Sequence, residues 1–315
     1  MQVLGVTDIS SSEGKLHRFT QICMLIKSAR KLSKPKLYVL MAEKDIGIRN
    51  RHVIERHLML LEKLGMIERL ASHYVLRAQG RVLTELAKGG ISSENLSLGE
   101  KILYFRALFA SVLRQQLVEL LEIVQANQSS PRKEIVQQYF DTQVARKLWN
   151  VSVIDRNLSK LRETGKVPSF FANKFGCMEM WLKDLGLLET GNHTIALAPA
   201  VPNAVEMLRD DEASKSHIYE LAGAIHVGRV TGFDSKRDFD ELVRLLKGSS
   251  KIFALETGVT DFEASKTHVC ISLLMRGRVL ESSEFDEMIR ILVAKRIVRS
   301  VMLGRDGKPA YITLV

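Results

Sequence analysis

Two stretches of this chain share one layout: LEKLGMIERLASHYVL, Leu61 to Leu76, and LKDLGLLETGNHTIAL, Leu182 to Leu197. Each opens as a helix-like Leu-x-x-Leu-Gly. A short apolar step, a Glu, a small polar turn and a second apolar run ending in Leu follow. At an offset of 121 residues (182 less 61), Leu61/Leu182, Leu64/Leu185, Gly65/Gly186, Glu68/Glu189 and Leu76/Leu197 coincide. Glycine after the last apolar residue closes a helix, because a left-handed residue there suffers no Cβ clash. The pattern predicts a helix-then-hairpin unit made twice. A weaker third copy ends the chain. FDEMIRILVAKR runs into IV and a hairpin around Asp306-Gly307, with Arg296 in place of the glycine.

A length of 315 residues agrees with two or three such units. A Gly/Ser-rich linker at 89–100 and an acidic, Pro-containing stretch at 198–216 divide the chain. The predicted domains are 15–90, 97–200 and 214–315. The fold class is mainly α with short β-hairpins. In the first unit, Lys15–Leu32 is read as a helix with Phe19, Ile22, Cys23, Ile26 and Ala29 on one face. A second helix opens at Pro35, and Arg51–Leu64 is a third, capped by Asn50. Strands at Ile67–Leu70 and Tyr74–Leu76 and a helix AQGRVLTELAK complete it. In the second unit we expect one long apolar helix, Lys101–Ala126, carrying Leu103, Phe105, Leu108, Phe109 and Val112. Helices from Pro131, over 153–166 and from Ser169 to Gly186 follow, then a hairpin turning at Gly191-Asn192. Helices at about 217–228, 235–247, 261–276 and 282–296 fill the third.

The segment RNRHVIERHLMLLEKLGMIERLASHYVLRAQGRVLTELAK resembles the winged-helix proteins of the MarR-like helix-turn-helix superfamily. The resemblance covers Arg49 to Lys88. It rests on the Leu-Gly pair ending the third helix, the Ile-Glu-Arg strand, the wing and the Gly-Arg step into the next helix. The wing here is short and lacks the usual run of Asp and Arg. The resemblance implies tandem winged-helix domains, with Arg51–Leu64 as a DNA-recognition helix.

Charge points the same way. The chain carries +10, and residues 1–90 hold 16 Lys and Arg against 8 Asp and Glu, so most of the excess lies in the first unit. A basic surplus favours an anionic partner, nucleic acid first. On the third helix Arg49, Asn50, Arg51, His52, Glu55, Arg56, Met59 and Lys63 lie off the apolar face. Arg and Asn donors match guanine and adenine edges. Lys27, Arg30, Lys31, Lys34 and Lys36 form a basic cluster suited to backbone phosphates, which position without specifying. In the second unit Asn173 and Lys174 stand near a helix start. Phe171, Phe175, Met178 and Trp181 repeat at core spacing, with base stacking by Phe170 or Phe171 as the minority reading. In the third, Arg290, Lys295, Arg299, Arg305 and Lys308 follow the last helix and hairpin.

No motif carries catalysis. There is no phosphate-cradling glycine loop and no HExxH. His52 and His57 are five apart, off the spacing that puts two ligands on one helix face. Three distant cysteines give neither a disulfide framework nor a CxxC pair, and Cys23 and Cys177 read as buried thiols. No cofactor, metal, signal peptide or membrane span is expected. The expectation is a cytoplasmic or nucleoid-associated, sequence-specific double-stranded DNA-binding protein. It would serve as a transcription regulator, a replication initiator or the recognition component of a defence system. The alternative is a tandem winged-helix scaffold for protein–protein contacts, forming a homodimer or binding a partner through helix 101–126.

Overall fold

The structure, a computed structural model, describes residues 14–29, 32–44, 46, 51–87, 94–128, 130–145, 167, 169–191 and 193–315. The side chains of 143–145, 169, 170, 173 and 174 lie outside that description. The chain is mainly helical, with short strand groups that are antiparallel except for one two-residue pair.

The first unit runs α1 (Leu16–Ala29), β1 (Leu32–Ser33), α2 (Lys34–Glu43), α3 (Arg51–Lys63), β2 (Ile67–Leu70), β3 (His73–Leu76) and α4 (Ala78–Leu86). Its sheet has the order β1-β3-β2, so the strand before α2 pairs with the far strand of the hairpin. The predicted face of α1 is the core: Phe19, Ile22, Cys23 and Ile26 are buried. Gly80 stands where α4 meets the hairpin. A Cβ there would lie 2.0 Å from the Met66 carbonyl oxygen, so only glycine allows this approach.

The second unit departs from the expected layout. Residues 101–126 form two helices, α5 (Leu98–Phe109) and α6 (Arg114–Ala126). Ser111 makes the break: its hydroxyl donates to Leu108 O at 2.7 Å and accepts from Leu113 N at 3.1 Å. Val112, assigned to the apolar face, is instead 72% exposed at that corner. After α7 (Arg132–Ala145) and the segment 146–166, where the helix expected over 153–166 lies outside the described residues, come α8 (Ser169–Asp184), β4 (Leu188–Thr190) and β5 (Ile195–Leu197). A lone bridge joins Pro131, just before α7, to Thr194 beside β5, in the place that β1–β3 pairing takes in the first unit. The hairpin is closed by Gly191 N donating to Thr194 O, which moves the turn one residue past the expected Gly191-Asn192. Asn192 itself is outside the described residues.

The acidic stretch 198–216 is no linker. It forms α9 (Pro202–Arg209) and α10 (Asp211–Ser216), with Val205 and Leu208 buried. Pro202 starts the first, and the Asp210 carboxylate caps the second by accepting from Glu212 N and Ala213 N. Pro and Asp are first-turn residues as much as loop residues, so composition misled here.

The third unit adds α11 (Ile218–His226), β6 (Thr231–Gly232), α12 (Phe239–Ile252), β7 (Thr260–Asp261), α13 (Phe262–Leu274), β8 (Arg278–Val279), α14 (Ser282–Ala294), β9 (Val298–Leu303) and β10 (Pro309–Leu314). Its sheet order β7-β10-β9 repeats that of the first unit.

The helix-to-hairpin joint is built alike three times. Gly65, Gly186 and Arg296 hold φ of 66°, 71° and 58°. The next residue reaches back five to a helix carbonyl in each: Met66 N to Leu61 O, Leu187 N to Leu182 O, Ile297 N to Leu292 O. The residue after the hairpin then donates to that same joint residue: Arg77 N to Met66 O, Ala198 N to Leu187 O, Val315 N to Ile297 O. Ile67 faces Leu76 and Leu188 faces Leu197, so the 121-residue offset holds in register too. The buried apolar side chains of all three units form one continuous cluster.

Candidate nucleic-acid interface

Helix α3 buries one side and bares the other. Val53, Ile54, His57, Leu58, Leu60 and Leu61 are buried, which follows from their spacing at 3.6 residues per turn. Arg51, His52, Met59 and Lys63 are exposed, and Glu55 and Arg56 are half-buried along the same free arc. Six of the eight residues singled out on this helix and its cap therefore share one face. Arg49 and Asn50 lie outside the described residues.

Neighbouring α2 shapes that face. The Lys34 ammonium and the Tyr38 hydroxyl both donate to Glu55 Oε1, the second at 3.3 Å. The Arg51 guanidinium lies over the Tyr38 ring, 5.8 Å from its centroid. Glu55 Oε2 is 3.9 Å from His52 Nδ1. The hydrogen bond from Lys34 holds the Glu55 carboxyl below its usual range and raises the Lys34 ammonium, so both stay charged at neutral pH. Lys34 is thus committed to Glu55, where the sequence assigned it to phosphate. Lys36 is exposed on the first turn of α2, and Lys31 is outside the described residues. Lys27 pairs with Glu85. Arg69 is exposed on the β2–β3 hairpin and donates to Ala71 O. This tie between α2 and α3 is what sequence reasoning missed. Its one local signal is the basic and aromatic pair Lys34 and Tyr38, one turn apart.

His57 is buried and packs on Phe19, centroids 4.8 Å apart, with Nδ1 2.8 Å from Val53 O. It therefore faces away from His52. The three cysteines are buried and unpaired with one another, and burial pushes their thiols up.

In the second unit Phe171 is buried against Phe140 and Tyr139, which removes it as a stacking platform. Asn173 and Lys174 lie on α8, with side chains outside the described set. The helix expected over 101–126, here split into α5 and α6, was to present a partner face. Its Ile102, Leu103, Tyr104, Phe105, Leu108 and Phe109 are all buried within the chain itself, against α4, α11 and α13 among others. With these side chains buried, α5 is a core helix, and its apolar residues are not open to a partner.

In the third unit Arg290, Arg299, Arg305 and Lys308 are exposed, and Lys295 sits 4.2 Å over the Phe239 ring. The first turns of α14 expose Glu284 and Glu287 instead of bases. The hairpin exposes Met302 opposite Tyr311, and Leu303 beyond them. Among the described residues no group of three His, Cys, Asp or Glu is placed to hold a metal ion, and no helix is long and apolar enough to cross a membrane.

Compared with protein-family models, curated proteins and solved structures, the chain matches none.

Proposed function

We propose that the chain is a double-stranded DNA-binding protein built from winged-helix units, in which α3 enters the major groove. One observation carries this reading: the outward arc of α3 presents Arg51, Arg56 and Lys63 on one face. Helix-turn-helix docking places the first turns of such a helix against base edges, while flanking bases neutralise phosphates. Transcription regulation, replication initiation and target recognition in a defence system all fit this chemistry. The third unit supports a second reading, a protein–protein scaffold. Its equivalent helix offers Glu284 and Glu287, which phosphates repel, and its hairpin offers apolar Met302 and Tyr311.

The test is binding of the full chain to random duplex DNA across salt concentrations. Each neutralised phosphate contributes about −0.9 to the slope of log K against log salt, so a clearly negative slope is expected. A slope near zero would sink the reading and leave the scaffold. Arg51→Ala should weaken binding to a selected site by ~1–3 kcal/mol if it reads a base. Unchanged affinity would remove Arg51 from the interface.

A further inference from the structure

We infer that Glu55 is a specificity-determining residue that selects a cytosine on the duplex strand facing α3. The inference rests on the DNA-binding reading above. An acid on a groove-facing helix is costly, because the duplex lines the groove with phosphate charge. That cost is offset only where the carboxylate meets a hydrogen-bond donor. In the major groove guanine presents two acceptors and thymine presents an acceptor and a methyl group. Adenine sets its amino group beside an acceptor, and cytosine presents an amino group alone. An ionised carboxylate therefore discriminates for cytosine and against the other three.

The geometry suits Glu55 to this task. It lies on the second turn of α3, four residues after Arg51 and four before Met59, so the three stack along the exposed arc. Its Oε1 is occupied by Lys34 and Tyr38, which holds that oxygen toward α2 before any ligand arrives. Preset geometry reduces the ordering cost of recognition. Its Oε2 lies on the His52 side, and the side chain keeps 41% of its surface exposed. The charge on Lys34 also shields the carboxylate from nearby phosphates, which an unpaired glutamate would not enjoy. No second acidic side chain stands in the first two turns of α3.

The experiment selects bound duplexes from a random pool, using the full chain as wild type and as Glu55→Gln. The wild type should enrich a site with a fixed C·G pair. Glu55→Gln should move the preference at that one position toward adenine, which glutamine engages through N6 and N7, and leave the rest of the site unchanged. A second arm alters the DNA instead. Replacing that cytosine with N4-methylcytosine, which keeps the amino hydrogen paired to guanine and sets a methyl in place of the groove-facing one, should cost the wild type about tenfold or more in affinity, and cost Glu55→Ala far less. If the wild type enriches a site that Glu55→Gln enriches identically, or binds DNA with no sequence preference, the cytosine assignment is overturned and DNA binding stands. If the wild type binds no duplex even at low salt, both fall together. A carboxylate that only braced Lys34 would lower affinity when replaced without moving the preferred base.

Discussion

Glu281 is 6% exposed and caps two helices at once. Its Oε1 accepts from Tyr219 N at 2.9 Å and Glu220 N at 2.8 Å, closing the start of α11. Its own N–H donates to Glu284 Oε2, closing the start of α14. Burial nevertheless dominates, with Glu284 and Glu220 adding to it, and pushes the carboxyl from 4.5 up to about 7. The two backbone bonds oppose this shift and do not cancel it. Between those two values the unfolded chain has released a proton that the folded chain retains. Raising pH through that window therefore favours the unfolded chain. Against Glu281→Gln, which keeps an acceptor for both N–H groups, the wild type should lose up to about 3 kcal/mol of stability between pH 5 and 8. Urea midpoints of the two proteins at both pH values measure it. Parallel profiles would mean that Glu281 is ionised in the fold at pH 5 already.

At the scale of elements, the helix-to-hairpin joint recurs with the same backbone bonds whether or not a glycine fills it. Gly65 and Gly186 take positive φ at no steric cost, whereas Arg296 holds the same conformation with a Cβ. A left-handed L-residue costs about 1–2 kcal/mol, and glycine returns part of that gain as chain entropy. Arg296→Gly should therefore stabilise the fold by about 0.5–1 kcal/mol, read as a higher denaturant midpoint. Gly65→Ala, whose new Cβ would meet only Gln79 Nε2 at 3.8 Å, should lose a similar amount through φ alone. A destabilised Arg296→Gly would mean that its side chain contributes more than the strain costs.

These joints were legible in the sequence because their signals are local: Leu-x-x-Leu-Gly, an apolar step, a turn. The free arc of α3 was legible for the same reason, through its periodicity. Other elements escaped because their causes are not local. Apolar spacing runs straight through Ala110–Leu113, so the Ser111 hydroxyl that splits the expected helix 101–126 leaves no trace in it. That α5 is a core helix follows from α4, α11 and α13 closing around it, which no window of residues reveals. The grip of Lys34 and Tyr38 on Glu55 likewise needs α2 laid against α3.

Over the whole molecule, the three units share side chains as well as a layout. Phe19 on α1 touches His57 of α3 and, at 6.4 Å, Trp181 of α8, so one ring couples the free-faced helix of the first unit to its counterpart in the second. Trp181 Nε1 donates to Gly14 O at 2.6 Å, and the Asp184 carboxylate accepts from Leu16 N at 2.8 Å, capping α1 from the end of α8. Tyr104 of α5 donates to Leu16 O and lies 3.0 Å from the Thr20 hydroxyl. Arg81 of α4 pairs with Asp261 before α13, and α4 packs along α13. Independent beads on linkers would expose these faces, and burying them as one core predicts one cooperative unfolding step. In a Trp149→Phe background, so that Trp181 alone reports, fluorescence and far-UV ellipticity should follow the same denaturant curve. Trp181→Ala should lower the midpoint of the whole ellipticity transition, at a cost of about 3–5 kcal/mol, because both the first and second units lose a wall. A biphasic ellipticity curve, with only one phase moved by that substitution, would mean that the units fold separately. The arc of α3 would then be free to turn relative to α8, and binding would have to supply the ordering that the shared core supplies here.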